Sequence, residues 1–214
     1  DAPAPEIAPS EIAIHDWRRD PSPLRRLETL LEPQPDLQIW AEAFSRTEYP
    51  QFRRRADLIP GGELAIFSAP SDPAALGEVL GRLHPSVVHV FGVEPPIQKV
   101  EEFLKVLLAA ARNVIDHLEG RVSGEVLCGA VAGSRGAVKA GLEYLAADGK
   151  IGFQWVSDQE VHIHKGAASP VSKIQLKARL AALKRAFEES AAYRRFFRVV
   201  PLRTILHITP PKGE

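Results

Sequence analysis

The chain predicts an α/β fold: a small, mostly parallel, Rossmann-like sheet, then a winged-helix unit, then a long C-terminal helix. Three observations lead there. Strand-like and helix-like stretches alternate through residues 11–96, the rhythm of right-handed strand–helix–strand crossovers. Residues 97–166 order instead as helix, helix, turn, helix and a two-stranded hairpin, the succession of a winged helix. After Pro170 one amphipathic run continues from Ser172 to about Phe197.

The opening segment DAPAPEIAPS (1–10) carries three prolines and no apolar period, so it reads as a linker. With no methionine in the chain, the expectation is a domain cut from a longer polypeptide. EIAIHDW (11–17) is the first strand. SPLRRLETLLE (22–32) spaces its leucines helically, with Ser22 as N-cap and Pro23 behind it. DLQIWAEAF (36–44) reads as a second strand and YPQFRRRADLI (49–59) as a short helix. GGELAIFSAP (61–70) is a third strand. SDPAALGEVLGRLH (71–84) is a helix begun by Asp72 and Pro73, and PSVVHVFGVEPP (85–96) is a fourth strand.

In the second region, residues 97–119 form a long amphipathic helix with Phe103, Leu107 and Val114 on its apolar side. GRV breaks it. SGEVLCGAVA (123–132) is a shorter helix, and Ser134 caps a third that runs to Lys150. IGFQWV (151–156) and EVHIHK (160–165) make the hairpin. In the last region (170–214), Leu176, Leu180, Leu183 and Phe187 align as a core stripe. PLRTILHIT (201–209) either adds a strand or returns to the sheet.

Charge narrows the function. The net charge is zero, which is not the footprint of a chain whose main task is holding DNA. Residues 172–198 nevertheless carry eight basic groups against Glu188 and Glu189. At 100° per residue, Lys173, Lys177, Lys184 and Arg195 fall within about 40° of one another. Arg185, Arg194 and Arg198 belong to the same helix. The stretch AAYRRFFRVV (191–200) has two readings. It is an arginine–aromatic surface for a partner or a nucleic acid, or Tyr193, Phe196 and Phe197 point inward while the arginines complement the helix dipole. Arg53, Arg54 and Arg55 make a second basic run, suited to a solvated face or to an acidic contact. Arg135 and Lys139 are the basic groups early on the third helix of the winged unit, but residues 121–165 balance five basic groups with five acidic ones.

The chemistry-bearing residues do not assemble into a catalytic set. Strand ends read RRDPSP, SAPSDP and GVEPP, with proline where a phosphate site needs backbone N–H donors. Ser68 and Ser71 follow a strand without a nucleophile elbow. His162 and His164 share a strand face, a spacing that holds zinc only with further ligands. His15-Asp16 and Asp116-His117 are isolated pairs. The single cysteine, Cys128, fits a reducing cytoplasm. No stretch is long and apolar enough to span a membrane, and no small-molecule ligand is expected.

Four segments, in order, resemble the C-terminal domain of the bacterial RecJ family of single-stranded-DNA-specific exonucleases, its extended four-domain members in particular. They are IHDWRRD (14–20), VVHVFGVEPP (87–96), GAVKAGLEYLAADGKI (136–151) and ESAAYRRFFRVVPLRTIL (189–206). The resemblance implies a parent 5′→3′ exonuclease of recombination and repair. Its DHH-type core would hold two divalent metals, Mn2+ or Mg2+, on Asp and His side chains. No position here matches a ligand of that core, so no catalytic, metal or cofactor residue is carried over. The expectation is a non-catalytic accessory domain that docks the exonuclease to a helicase, a translocase or another end-resection protein. The alternative is an auxiliary DNA-binding module, with single-stranded DNA engaged through the parent. Candidate contacts for either are Lys173, Lys177, Lys184, Arg185, Arg194, Arg195, Arg198, Arg53, Arg54, Arg55, Arg135 and Lys139.

Overall fold

A computed structural model describes residues 12–166 and 171–206; the linker expected at 1–10 lies outside them. The elements β1 (Ala13–Asp16), β2 (Gln38–Trp40), β3 (Phe52–Arg53), β4 (Glu63–Ser68) and β5 (Val87–Val93) form a five-stranded sheet in the order β1-β5-β4-β2-β3, parallel throughout. Alternation along β4 sorts its side chains to two cores. Leu64 and Ile66 face α2 (Pro73–Leu83), whose Leu76, Val79 and Leu83 are buried with them. Ala65 and Phe67 share the opposite face with Leu27 of α1 (Pro23–Leu31). A parallel sheet needs cover on both faces, which is why its strands read as continuous apolar runs.

Helix α2 begins as expected: the Asp72 carboxylate accepts from the N–H of Ala75 at 2.8 Å, and Pro73 occupies the first turn. Helix α1 differs. Ser22 stands at the N-cap position without a side-chain cap bond, and Asp20 instead accepts from the Ser22 N–H at 2.8 Å.

The second unit holds α3 (Val100–His117), β6 (Arg121–Ser123), α4 (Gly124–Val131), α5 (Arg135–Ala147), β7 (Ile151–Trp155) and β8 (Glu160–Lys165). The expected helix, helix, helix and hairpin order is present. The break at 120–122 is also a strand: β6 pairs antiparallel with β8, giving a three-stranded sheet β6-β8-β7. Phe103 and Leu107 of α3, Leu127 of α4, Leu142 of α5 and Val161 of β8 meet in one core. Gly141 permits that packing, because a Cβ there would lie 2.6 Å from Leu107 Cδ2.

One expectation is corrected and one alternative is decided. Residues 49–59 are not a helix but the edge strand β3 and a 3-10 turn at Arg55–Asp57. Phe52 pairs with Ile39 across the sheet edge and packs on Tyr49 and Phe67, centroids 4.8 Å away in each case; pairing and burial outweigh local helix preference. Of the two readings of PLRTILHIT, the return to the sheet is the one found: residues Leu202–Ile205 form a short helix, α7, whose Leu202 and Ile205 pack under the sheet beside α2. Residues 207–209 lie outside the described residues.

The final long helix, α6 (Lys173–Val199), carries a capping box in which Ser172 and Gln175 exchange side-chain and backbone hydrogen bonds. At 1.5 Å per residue its length is about 40 Å. Leu183 enters the core of the second unit, and Phe197 enters the core beneath the sheet.

Candidate functional site

Ligands of open α/β sheets settle at the carboxyl ends of strands where the strand order reverses. Here the chain leaves β2 toward β3 and leaves β4 toward β5, in opposite directions. The reversal lies between the ends of β2 and β4. That crevice is filled by the protein itself. Glu42, two residues beyond β2, receives Arg55 Nε on Oε1 and Nη2 on Oε2, both at 2.5 Å. Their side chains are 2% and 4% exposed. Trp40 Nε1 donates to Glu42 Oε1 at 3.0 Å, and Ser68 Oγ accepts from the Glu42 N–H at 3.0 Å. Arg55 also reaches Ser71 Oγ at 3.3 Å and the Gly133 carbonyl at 3.4 Å, so the turn between α4 and α5 closes over the crevice. Burial alone would disfavour the Arg55 charge; the Glu42 carboxylate overrides it and holds the guanidinium pKa above its ordinary value. Cys128 lies in the same buried region, where desolvation pushes its thiol up to about 12.

This geometry sorts the candidate contacts. Arg55 is withdrawn from any partner surface, since it is buried and paired internally. Arg194 is withdrawn as well: it is 3% exposed and donates to the Ala132 carbonyl, and burial lowers its pKa. Arg54 is half covered, its stem lying against Gly129. Arg53, Lys173, Lys177, Lys184, Arg185, Arg195 and Arg198 are exposed, Arg198 standing 3.7 Å from Glu94. Of the aromatics expected to point inward, Phe197 is fully buried and Tyr193 partly buried, whereas Phe196 is 49% exposed. Arg18 secures this end of the helix, donating to the carbonyls of Phe197 at 2.5 Å and Val200 at 2.8 Å.

Arg135 and Lys139 border a cleft where α2 meets the second unit. One cavity there, about 420 Å³, is lined by Glu78 and Arg82 of α2, Glu125 and Cys128 of α4, and Trp155 and Asp158 of the hairpin, among others. A neighbouring recess adds Lys139 and Ser157. Two ion pairs cross the cleft: Arg82 to Glu125 at 2.9 Å and Arg135 to Glu78 at 3.2 Å. Arg135 therefore already has a carboxylate partner. Glu78, Glu125 and Asp158 equal in number Arg82, Arg135 and Lys139, so a polyphosphate would gain little on entering. Sequence reading missed this cleft because its walls are some eighty residues apart along the chain, although Trp155 beside a turn of polar residues was a visible sign.

The histidines do not gather into one site. Trp17 Nε1 donates to His89 Nδ1 at 3.3 Å, which leaves the His89 proton on Nε2, 3.4 Å from Glu63. His15 stacks on His89 with centroids 4.8 Å apart. His162 and His164 lie on β8, and no group of three His, Cys, Asp or Glu side chains converges among the described residues. No helix among the described residues is long and apolar enough to cross a membrane. No protein-family model, curated protein or solved structure matches this chain.

Proposed function

We propose that this chain is a non-catalytic docking module of a RecJ-like 5′→3′ exonuclease, holding the enzyme to a protein partner in the cytoplasm. The partner is a helicase, a translocase or another protein of end resection. The observation that carries the reading is the cleft between α2 and the hairpin: an aromatic wall at Trp155 surrounded by equal numbers of acidic and basic side chains. Such a lining suits a folded protein's loop or helix, which brings its own mixed charges and an apolar anchor. The filled crevice at the strand ends supports the same reading, since the usual ligand position of the sheet is occupied by Glu42 and Arg55. In the parent enzyme, the metals and the bond cleavage belong to the DHH-type core.

Lys139 and Asp158 are exposed, so K139E and D158K alter the cleft without touching a core. Each is expected to weaken partner binding by about tenfold in surface plasmon resonance, with exonuclease activity on single-stranded DNA unchanged. A parent enzyme lacking this domain that binds the partner as well as the intact one refutes the reading.

The second reading, auxiliary DNA binding, is favoured by the aligned cations Lys173, Lys177, Lys184 and Arg195, all exposed on α6. It requires low-salt affinity for oligonucleotides that falls steeply with added salt and is lost in K177E/K184E. Absence of binding at low salt removes it.

A further inference from the structure

The solvent face of α6 has an order of its own. At 100° per residue, Ile174, Ala181, Arg185, Glu188, Ala192 and Val199 lie within about 60° of one another. They look away from the buried Leu183 and Phe197. Ile174 is 81% exposed, Val199 78% and Phe196, beside the row, 49%; the alanines are exposed too. Lys184, Arg185, Glu188 and Glu189 enter none of the ion pairs found among the described residues. Ile174 at one end of the row and Val199 with Phe196 at the other, about 38 Å apart, stand in water on either side of four charges that enter none of those pairs, and the row lies open to a covering partner.

We infer that this face pairs with the same face of a second copy of the chain, the two helices antiparallel about a twofold axis passing between Ala186 and Phe187. The row maps onto itself under that rotation. Ile174 falls opposite Val199 of the second copy, Ala181 opposite Ala192, and Arg185 opposite Glu188, each contact occurring twice, as an isologous interface requires. One step to either side, Lys184 lies beside Glu188 of the second copy and Arg185 beside Glu189. The phenyl ring of Phe196 lies over Ala178 of the second copy. The alanines between the charged centre and the apolar ends let the axes approach to the usual 8–10 Å of packed helices.

Charge selects the occupant and its direction. A parallel pairing stacks Arg185 on Arg185 and Glu188 on Glu188. Only the reversed one sets Lys184 and Arg185 against anions, and it does so for both acids of the helix with no outside partner. One flank does not fit: Lys177 meets Arg195 of the second copy at the exposed rim, where like charges cost little. The face differs from the cleft of the docking proposal, so the two are tested separately.

Sedimentation of the 214-residue chain between about 1 and 200 µM tests the pairing. The expected result is a concentration-dependent dimer. R185E and E188R each weaken it by roughly tenfold or more, because each sets like charges against each other, and the full exchange K184E/R185E/E188K/E189R restores it. V199D abolishes it and K177E tightens it. All these positions are exposed, and circular dichroism checks that the variants fold. Direction is read with a short bismaleimide. A181C mixed with A192C cross-links, and neither does so alone; Cys128 is buried and does not compete. A monomer throughout, a dimer indifferent to R185E and V199D, a fourfold exchange as weak as the single variants, or A181C cross-linking to itself overturns the inference.

Discussion

Replacing Arg55 with methionine keeps most of its volume and removes its charge. The loss can be worked out from its contacts. Two charge-assisted hydrogen bonds of 2.5 Å to Glu42 disappear, together with the longer ones to Ser71 and Gly133. Glu42 is left with Trp40 Nε1 as its one side-chain donor, at a carboxylate 2% exposed. Stranding a charge at such depth costs about 3–5 kcal/mol. E42M strands Arg55 in turn, at similar cost. The double variant R55M/E42M removes both charges and leaves the Trp40 indole unpaired, a penalty of about 1–3 kcal/mol. Urea unfolding of the four proteins, with unchanged slopes, is then expected to give a coupling energy of at least about 2 kcal/mol. A loss below about 1 kcal/mol for R55M, or additive losses in the double variant, means that the crevice between β2 and β4 is wet and open. The argument that the sheet's ligand position is closed would then fail.

Burial holds the His89 pKa below 6.5, against the pull of Glu63 and aided by the nearby His15. Below pH 6.5 the unfolded chain therefore binds the proton more readily, so this contribution to stability is complete above that pH and is lost as pH falls toward the folded value; urea midpoints at pH 7.5 and 5.5 should show the drop, and H89Q should flatten it. The Cys128 thiol, pushed up to about 12 by burial, should resist Ellman's reagent at pH 8 until the protein unfolds; fast labelling of the native chain contradicts the burial. Gly120 has φ +80° and a Cβ there would sit 2.3 Å from the Ile163 carbonyl oxygen, so G120A should cost roughly 2–3 kcal/mol, and a neutral result in thermal unfolding would show that the β6–β8 junction is looser than described.

Elements whose signals are local were legible from sequence. Asp72 with Pro73, Ser134 and Ser172 each mark a helix start that the structure keeps, and the apolar spacing of α3 carried its length. Elements made by distant pairing were not. β3 is two residues long and is a strand because Ile39 lies beside it, a relation no local window contains. Burial of arginine is hidden in the same way. Arg55 finds Glu42 thirteen positions upstream and Arg194 finds the Ala132 carbonyl sixty-two positions away, while a run of arginines in sequence reads as solvated. One signal was available: Glu42 is the lone acid within LQIWAEAF, and a charge inside such an apolar run asks for a partner. The cleft had no such sign for its acidic wall, because Glu78 and Glu125 read as ordinary exposed residues on separate helices.

Arg18 and the long helix α6 explain why the sheet and the second unit act as one body. Arg18 follows β1, the sheet's edge strand, and uses its guanidinium on the last carbonyls of α6. Gly92 of β5, at φ +63°, lies against both: a Cβ there would touch Arg18 and Phe197 at 3.4 Å. Three positions before Phe197, Arg194 holds the carbonyl that ends α4, and about three turns further back Leu183 is locked into the other core. A rotation of one unit against the other would have to pull Phe197 from beneath the sheet and strand Arg194 away from its acceptor in a dry site. Each is a cost of several kcal/mol. The arginines of AAYRRFFRVV thus divide by depth: Arg194 ties the units together from inside, while Arg195 and Arg198 remain at the surface. A helix held rigid from below in this way offers its outer side chains in fixed register, which is the condition a self-complementary pairing of two such helices requires.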